Sequence, residues 1–246
     1  MCTVSAACSP DGAALRIVVN RDERRLRMQA RPPARFSAYG VSALWPVDQE
    51  AGGTWVAVTE HGLAFVLLNA SAPGRCLLHD DEQVSRGAII PYLARSADVE
   101  DAERRFVSGP AQWPCRPFKL VVASRDRIVL LTPEGSLDLD VPLMLATSSL
   151  GDQWVETPRR ALFHDLLSSS ATAWQAQDRL HRHAWPDRRH ASVLMSRTDA
   201  CTVSRTEIVL THNGSEMRYA ALRDGWPVGV AVPPLSMERR QTVAAA

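Results

Sequence analysis

The chain has 246 residues, 46% hydrophobic and 22% charged, with a formal net charge of +1. That length and composition suit one globular domain over residues 1–246, large enough to bury a core without disulfides or structural metals. The near-zero charge supplies no global field for nucleic acid or an anionic membrane surface. Lys119 is the single lysine and the other basic residues are arginine, so a run such as Arg24, Arg25 and Arg27 reads as compositional bias on a solvated surface.

In chain order, Val4–Ala7 and Leu15–Val19 are short apolar runs around the turn residues Ser9-Pro-Asp-Gly12, which predicts an N-terminal β-hairpin. Residues 24–51 are rich in Arg and Pro and read as a long surface loop. Thr54–Thr59 and Leu63–Leu68 form a second hairpin turning at Glu60-His-Gly62. Gln83–Val107 is helical in character, punctuated by Pro91 and Ser96. Phe118–Ala123 and Arg127–Leu131 are strands, and Leu137–Leu145 is extended. Thr157-Pro158 is a helix start, with Leu162, Phe163, Leu166, Leu167 and Trp174 at helical spacing behind it. Residues 188–196 read as irregular, Val203–Leu210 and Met217–Leu222 as late strands, and 236–246 as a frayed tail. Strands that arrive as hairpins, separated by helical stretches, point to an α+β plan of antiparallel sheets with helices packed on them.

Five cysteines occur, Cys2, Cys8, Cys76, Cys115 and Cys201, an odd number with no CxxC pair. Reduced thiols in a cytoplasmic protein are the plain reading, with no structural zinc. No basic segment precedes a long apolar run at the N-terminus, and no stretch is long and apolar enough to span a membrane. His181, His183 and His190 lie among arginines in a segment that reads as exposed, so no metal or cofactor is expected there. The scattered tryptophans read as packing.

Three features carry candidate chemistry. Removal of Met1 would leave Cys2 with a thiol and a free α-amine, and an amine with a reference pKa of about 7.7–8.0 is a serviceable base. Asn20-Arg21-Asp22-Glu23 follows an apolar strand and, if residues 2–7 pair with 15–20, lies beside Cys2. Arg21 could then hold a thiolate or a carbonyl, and Asp22 could accept from the N-terminal amine. Asn69 ends the apolar run 64–68, where a side-chain amide can serve as an oxyanion donor, or as an ordinary turn residue before Ser71-Ala-Pro-Gly74.

Taken together, Met-Cys at the start, Asn-Arg-Asp-Glu at 20–23, Gly-Gly-Thr-Trp at 52–55 and the strand ending at Asn69 resemble the NRDE family. Ser85-Arg-Gly87, Phe118-Lys-Leu-Val121, Glu156-Thr-Pro158 and Ser204-Arg-Thr206 continue the resemblance more thinly. That family includes the transport and Golgi organisation protein and is similar to the choloylglycine hydrolase and acid ceramidase group. The resemblance implies a four-layer αββα N-terminal-nucleophile hydrolase fold, with Cys2 as nucleophile, Arg21 and Asp22 as its neighbours and Asn69 as oxyanion donor. It further implies substrate-binding roles for Asn20, for Ser148 and for Arg159 or Arg160. The activity implied is hydrolysis of a linear amide bond in a small or lipid-like substrate. The alternative is a non-catalytic carrier on the same scaffold, linked to Golgi organisation and to haem, acyl-CoA or lipid homeostasis. Two departures stand out. Arg21 and Asp22 are adjacent, whereas those amidases space the pair by two residues. Thr147, Ser148 and Ser149 also stand where a second asparagine belongs.

Overall fold

A computed structural model describes residues 2–70, 84–229 and 231–240. Met1, the turn at 71–74, Cys76 and residues 241–246 lie outside the described residues. Fourteen strands and four α-helices are described: β1 (Cys2–Cys8), β2 (Ala14–Arg24), β3 (Arg31–Ala38), β4 (Val41–Val47), β5 (Val56–Thr59), β6 (Ala64–Asn69), α1 (Ile89–Leu93), α2 (Val99–Ser108), β7 (Phe118–Ala123), β8 (Ile128–Thr132), β9 (Gly135–Asp138), β10 (Leu143–Thr147), α3 (Asp152–Ser168), α4 (Ala173–His181), β11 (Ala200–Thr211), β12 (Gly214–Arg223), β13 (Trp226–Pro227) and β14 (Leu235–Glu238).

The strands form two antiparallel sheets. One runs β10-β1-β2-β11-β12-β13 with β14 also paired to β12, and the other is a meander from β3 to β9. The sheets stack through an apolar core that includes Val4, Ile17, Leu44, Val66, Leu68 and Val121. Helices α1 and α2 cover the outer face of the meander through Ile89, Leu93 and Phe106 against Phe65 and Leu120. Helices α3 and α4 cover the first sheet through Phe163, Leu166 and Leu180 against Met144 and Ala146. The result is a four-layer αββα sandwich.

The period-2 alternation of strand side chains decides what each layer receives. On β1, Cys2, Val4 and Ala6 face the inter-sheet core. Thr3 and Ser5 face α3 and α4, where Thr3 meets Arg159 and Ser5 meets His181. The expected hairpin forms in the register Cys2↔Arg21 to Cys8↔Leu15, and β1 is an interior strand because β10 pairs its other edge.

Several elements differ from the sequence reading. Residues 24–51 contain the hairpin β3–β4. Pro32 and Pro33 disguise it, and they are tolerated because β3 is a sheet edge with a register shift between Arg31 and Ala34. Phe36 stacks on Trp45 across that hairpin at 4.6 Å. The extended stretch 137–145 is two strands, β9 on the edge of one sheet and β10 on the edge of the other. Helix α3 begins at Asp152, which leaves Pro158 inside it. The carbonyl that Pro158 cannot serve belongs to the exposed Trp154, where water can reach it. Met237 is buried in β14, inside the stretch expected to fray.

His181 is likewise buried, not exposed, in a polar cluster between sheet and helices. Asn20 Nδ2 donates to the carbonyls of His181 at 3.0 Å and Val193 at 3.1 Å, which turns its Oδ1 toward His181 Nδ1 at 3.1 Å. Nδ1–H therefore donates, and Nε2 accepts from Ser5 Oγ at 2.8 Å. This arrangement suits a neutral imidazole. Burial, reinforced by Arg205, Arg16 and Arg159, holds His181 well below its ordinary value of 6.5. Below about pH 6.5 the unfolded chain takes up a proton that the folded chain refuses, so stability falls as pH falls, by at most about 1.4 kcal/mol per pH unit. Urea midpoints measured from pH 7.5 to 5.5 should drop more steeply in the wild type than in His181→Gln, and parallel slopes would remove His181 as the cause.

Candidate active site

Cys2, the first residue of β1, lines a cavity of about 630 Å³ between the two sheets. Its lining includes Cys2, Arg21, Asp22, Glu23, Arg27, Asp48, Trp55, Asn69, Arg86 and Arg116. The flanking strands place Arg21 on one side of Cys2 and Thr147 on the other, and the Cys2 backbone nitrogen donates to Thr147 Oγ1 at 3.3 Å.

Arg21 is held from three directions. Its guanidinium lies over the Trp55 ring at 4.0 Å, pairs with Asp48, and has Glu23 at 3.6 Å. Arg27 grips the same Asp48 through two hydrogen bonds of 2.9 and 3.0 Å. Asp48 is itself a turn residue, accepting from the backbone N–H of Glu50 and Ala51 at 3.0 Å each. Burial opposes its charge, but Arg27, the Ala51 N–H and Arg21 hold its carboxyl down to about 2.

Asp22 and Arg21 both reach the cavity although they are adjacent. Opposite them β11 carries a bulge, its register stepping from Thr202↔Asp22 to Ser204↔Arg21. Asp22 is buried and accepts from Thr202 Oγ1 at 2.6 Å. Burial raises its carboxyl above the ordinary range, with Arg159 and Thr202 pulling the other way. Burial also pushes the Cys2 thiol above 9.0, Asp22 and Glu23 adding to the rise and Arg21 opposing it. A thiol in this setting is protonated at neutral pH and needs a base.

Asn69 borders the cavity from the other sheet, at the end of β6. The remaining sequence candidates are elsewhere. Asn20 is enclosed in the His181 cluster on the helix side of β2. Arg159 is buried behind β1, donating to Thr3 Oγ1 at 2.6 Å and to the carbonyls of Ser192 and Ala191 at 2.6 and 3.0 Å. Arg160 lies on the surface of α3 and pairs with Glu156. Ser148 is buried just past β10, where its hydroxyl accepts from Arg197 at 2.9 Å and from the Leu150 N–H at 3.1 Å.

Asp48, Trp55 and Arg27 carry no catalytic signature in the sequence. The available signal was the turn 48–53, in which an Asx residue precedes two glycines, and the Gly-Gly-Thr-Trp motif itself. Gly52 has φ +69° in that turn, and Trp55 lies under Arg21.

Two stacked antiparallel sheets between helical layers, with the first strand beginning at a cysteine that lines a cavity, define an N-terminal-nucleophile hydrolase-like fold. The sequence profile of the Transport and Golgi organisation 2 family matches residues 1–176, and the chain belongs to that family. No curated protein matches the chain. Among solved structures, the chain is similar to a Caenorhabditis elegans N-acylethanolamine-hydrolyzing acid amidase ortholog, with TM-score 0.54 and 15% identity over 85% of this chain and 92% of that one. A mutant conjugated bile acid hydrolase from Clostridium perfringens matches with TM-score 0.48 and 10% identity over 98% of this chain and 97% of that one. Among the described residues, no helix is long and apolar enough to cross a membrane.

Removing the carboxylate in Asp48→Asn takes away the acid that Arg21 and Arg27 both hydrogen-bond, leaving them Glu23 at 3.6 Å from each, and should cost about 3 kcal/mol. Because the Asp48 carboxyl titrates below its ordinary 3.8, the wild type should hold this stability above that pH and lose it as pH falls toward 2. Denaturation of both proteins at pH 7 and pH 3 checks this. A difference that does not shrink in acid would contradict the ion-pair explanation.

Proposed function

We propose that the chain is a cysteine N-terminal-nucleophile hydrolase that cleaves a linear amide bond. The observation that carries the reading is the convergence of Cys2, Arg21, Asp22 and Asn69 on one cavity from three strands of two sheets.

In this reading Met1 is removed and the freed Cys2 amine is the base that the buried thiol requires. The amine takes the Sγ proton as sulfur attacks the amide carbonyl. Asn69 Nδ2 and a backbone N–H stabilise the oxyanion of the tetrahedral intermediate. The ammonium returns the proton to the leaving nitrogen, the C–N bond breaks and a thioester remains. Water, deprotonated by the same amine, then attacks the thioester and releases the acid and the thiol. Asp22 orients the amine and steadies its charged form. Arg21, fixed by Asp48 and Trp55, keeps a positive charge beside the sulfur without the freedom to swing away.

One observation favours the second reading, a binding or carrier protein on the same scaffold. Ser148, in the stretch where the resemblance calls for a second asparagine, does not line the cavity, and its hydroxyl oxygen accepts from Arg197 and the Leu150 N–H instead of standing as an amide donor. In that reading the cavity holds a small or lipid-like ligand and turns nothing over.

Cys2→Ser and Cys2→Ala should fold and should lose hydrolysis of fluorogenic N-acyl amides by at least about a thousandfold. Full activity in Cys2→Ala would rule out the nucleophile. A wild type that binds these amides without cleaving them, and equally well in both variants, would establish the carrier.

A further inference from the structure

Two of the sequence motifs, Gly-Gly-Thr-Trp at 52–55 and Ser85-Arg-Gly87, meet in space. The Thr54 N–H donates to the Gly87 carbonyl at 3.1 Å. A Cβ on Gly53 would sit 2.5 Å from the Gly87 backbone, and one on Gly87 would sit 2.9 Å from Gly53 Cα. Only two glycines let these backbones cross, and the crossing seats the helical turn Arg86–Ala88 on the cavity wall. Arg86 is held further by its own Nη1, which donates to the Pro117 carbonyl at 2.8 Å.

The cavity is electrostatically two-sided. Its acids are committed on the side of β2: Asp48 to Arg21 and Arg27, Glu23 beside the same two arginines, and Asp22 to Thr202. Across the cavity Arg86 lies near a second cation, Arg116. Among the described residues no carboxylate forms an ion pair with Arg86. Burial, with Arg116 beside it, lowers its pKa from the ordinary guanidinium value. A partly desolvated guanidinium with one N–H committed to Pro117 presents further donors to the cavity, in a fork that matches a carboxylate.

We propose that Arg86 binds a carboxylate carried by the substrate, so that the site takes an anionic amide in preference to a neutral one. The inference rests on the reading of this cavity as the substrate site and adds a substrate class to it. The Gly53–Gly87 crossing is what seats Arg86 on the wall of that cavity.

The test separates anion recognition from chemistry. Calorimetry on full-length Cys2→Ala compares N-hexanoylglycine with its neutral primary amide. The carboxylate should bind more tightly, and Arg86→Gln in that background should weaken it about tenfold while leaving the amide unchanged. Arg86→Lys should recover part of the loss. Arg104→Gln removes an equal charge from the exposed face of α2 and should change neither ligand. Equal affinity for the two ligands, no binding of the carboxylate, or equal losses in Arg86→Gln and Arg104→Gln would each overturn the proposal. A parallel measurement alkylates the wild type with iodoacetate and with iodoacetamide, mapped to Cys2 by mass spectrometry. An inert Cys2 with intact carboxylate preference would defeat the nucleophile and leave the anion site standing. A reactive Cys2 without that preference would do the reverse.

Discussion

The pairing of β1 between β10 and β2 is the constraint on which the rest depends. Cys2 opposes Arg21 on one side and Thr147 on the other, so the second residue of the sequence is already part of an interior strand. Because side chains alternate, this register gives Cys2, Val4 and Ala6 to the space between the sheets and Thr3 and Ser5 to the helices. A slip of one residue would place Thr3 at the cavity and turn Cys2 toward α3. Apolar burial of Val4, Ile17 and Val19 makes that slip costly, so core packing holds the candidate nucleophile in place.

The same strands separate two kinds of polar chemistry. On the cavity side, Arg21, Arg27, Glu23 and Asp48 form a charged cluster whose members neutralise one another. On the helix side, Ser5, Asn20, Gln177 and His181 form an uncharged network closed to the cavity. The serine, histidine and asparagine in it satisfy each other while fully buried, so the network serves helix–sheet packing. Asp22 sits between the two systems, tied to Thr202 and within the field of Arg159 behind the sheet. That position lets an element with no access to the cavity bias a carboxylate that borders it.

The hairpins β1–β2 and β5–β6 were legible because apolar alternation and turn residues agree there. The β3–β4 hairpin was hidden by Pro32 and Pro33, which argue against a strand everywhere except at an edge or a bulge. The start of α3 was misplaced because Thr157-Pro158 carries the chemistry of a helix start while sitting within a helix whose exposed side tolerates the missing N–H. Local sequence around His181 is arginine-rich and suggests exposure, and its burial comes from partners more than a hundred residues away. Proximity of Arg21 and Asp22 to Cys2 followed from pairing alone, whereas Asn69, Asp48 and Arg86 reach the cavity only through sheet stacking and the Gly53–Gly87 crossing. Cys2 was recognisable as a candidate, but its raised pKa, and with it the need for a base, depends on tertiary burial.

The central claim is that a free α-amine on Cys2 activates its own thiol. The most direct measurement is the pH dependence of Cys2 alkylation by iodoacetamide in two forms of the protein. Intact mass establishes that one form begins at Cys2 and that the other keeps a residue ahead of it. The account predicts fast labelling in the first form, rising through the amine's titration near pH 8, and slow labelling in the second, where burial keeps the thiol protonated. Equal rates and equal pH profiles in the two forms would contradict it.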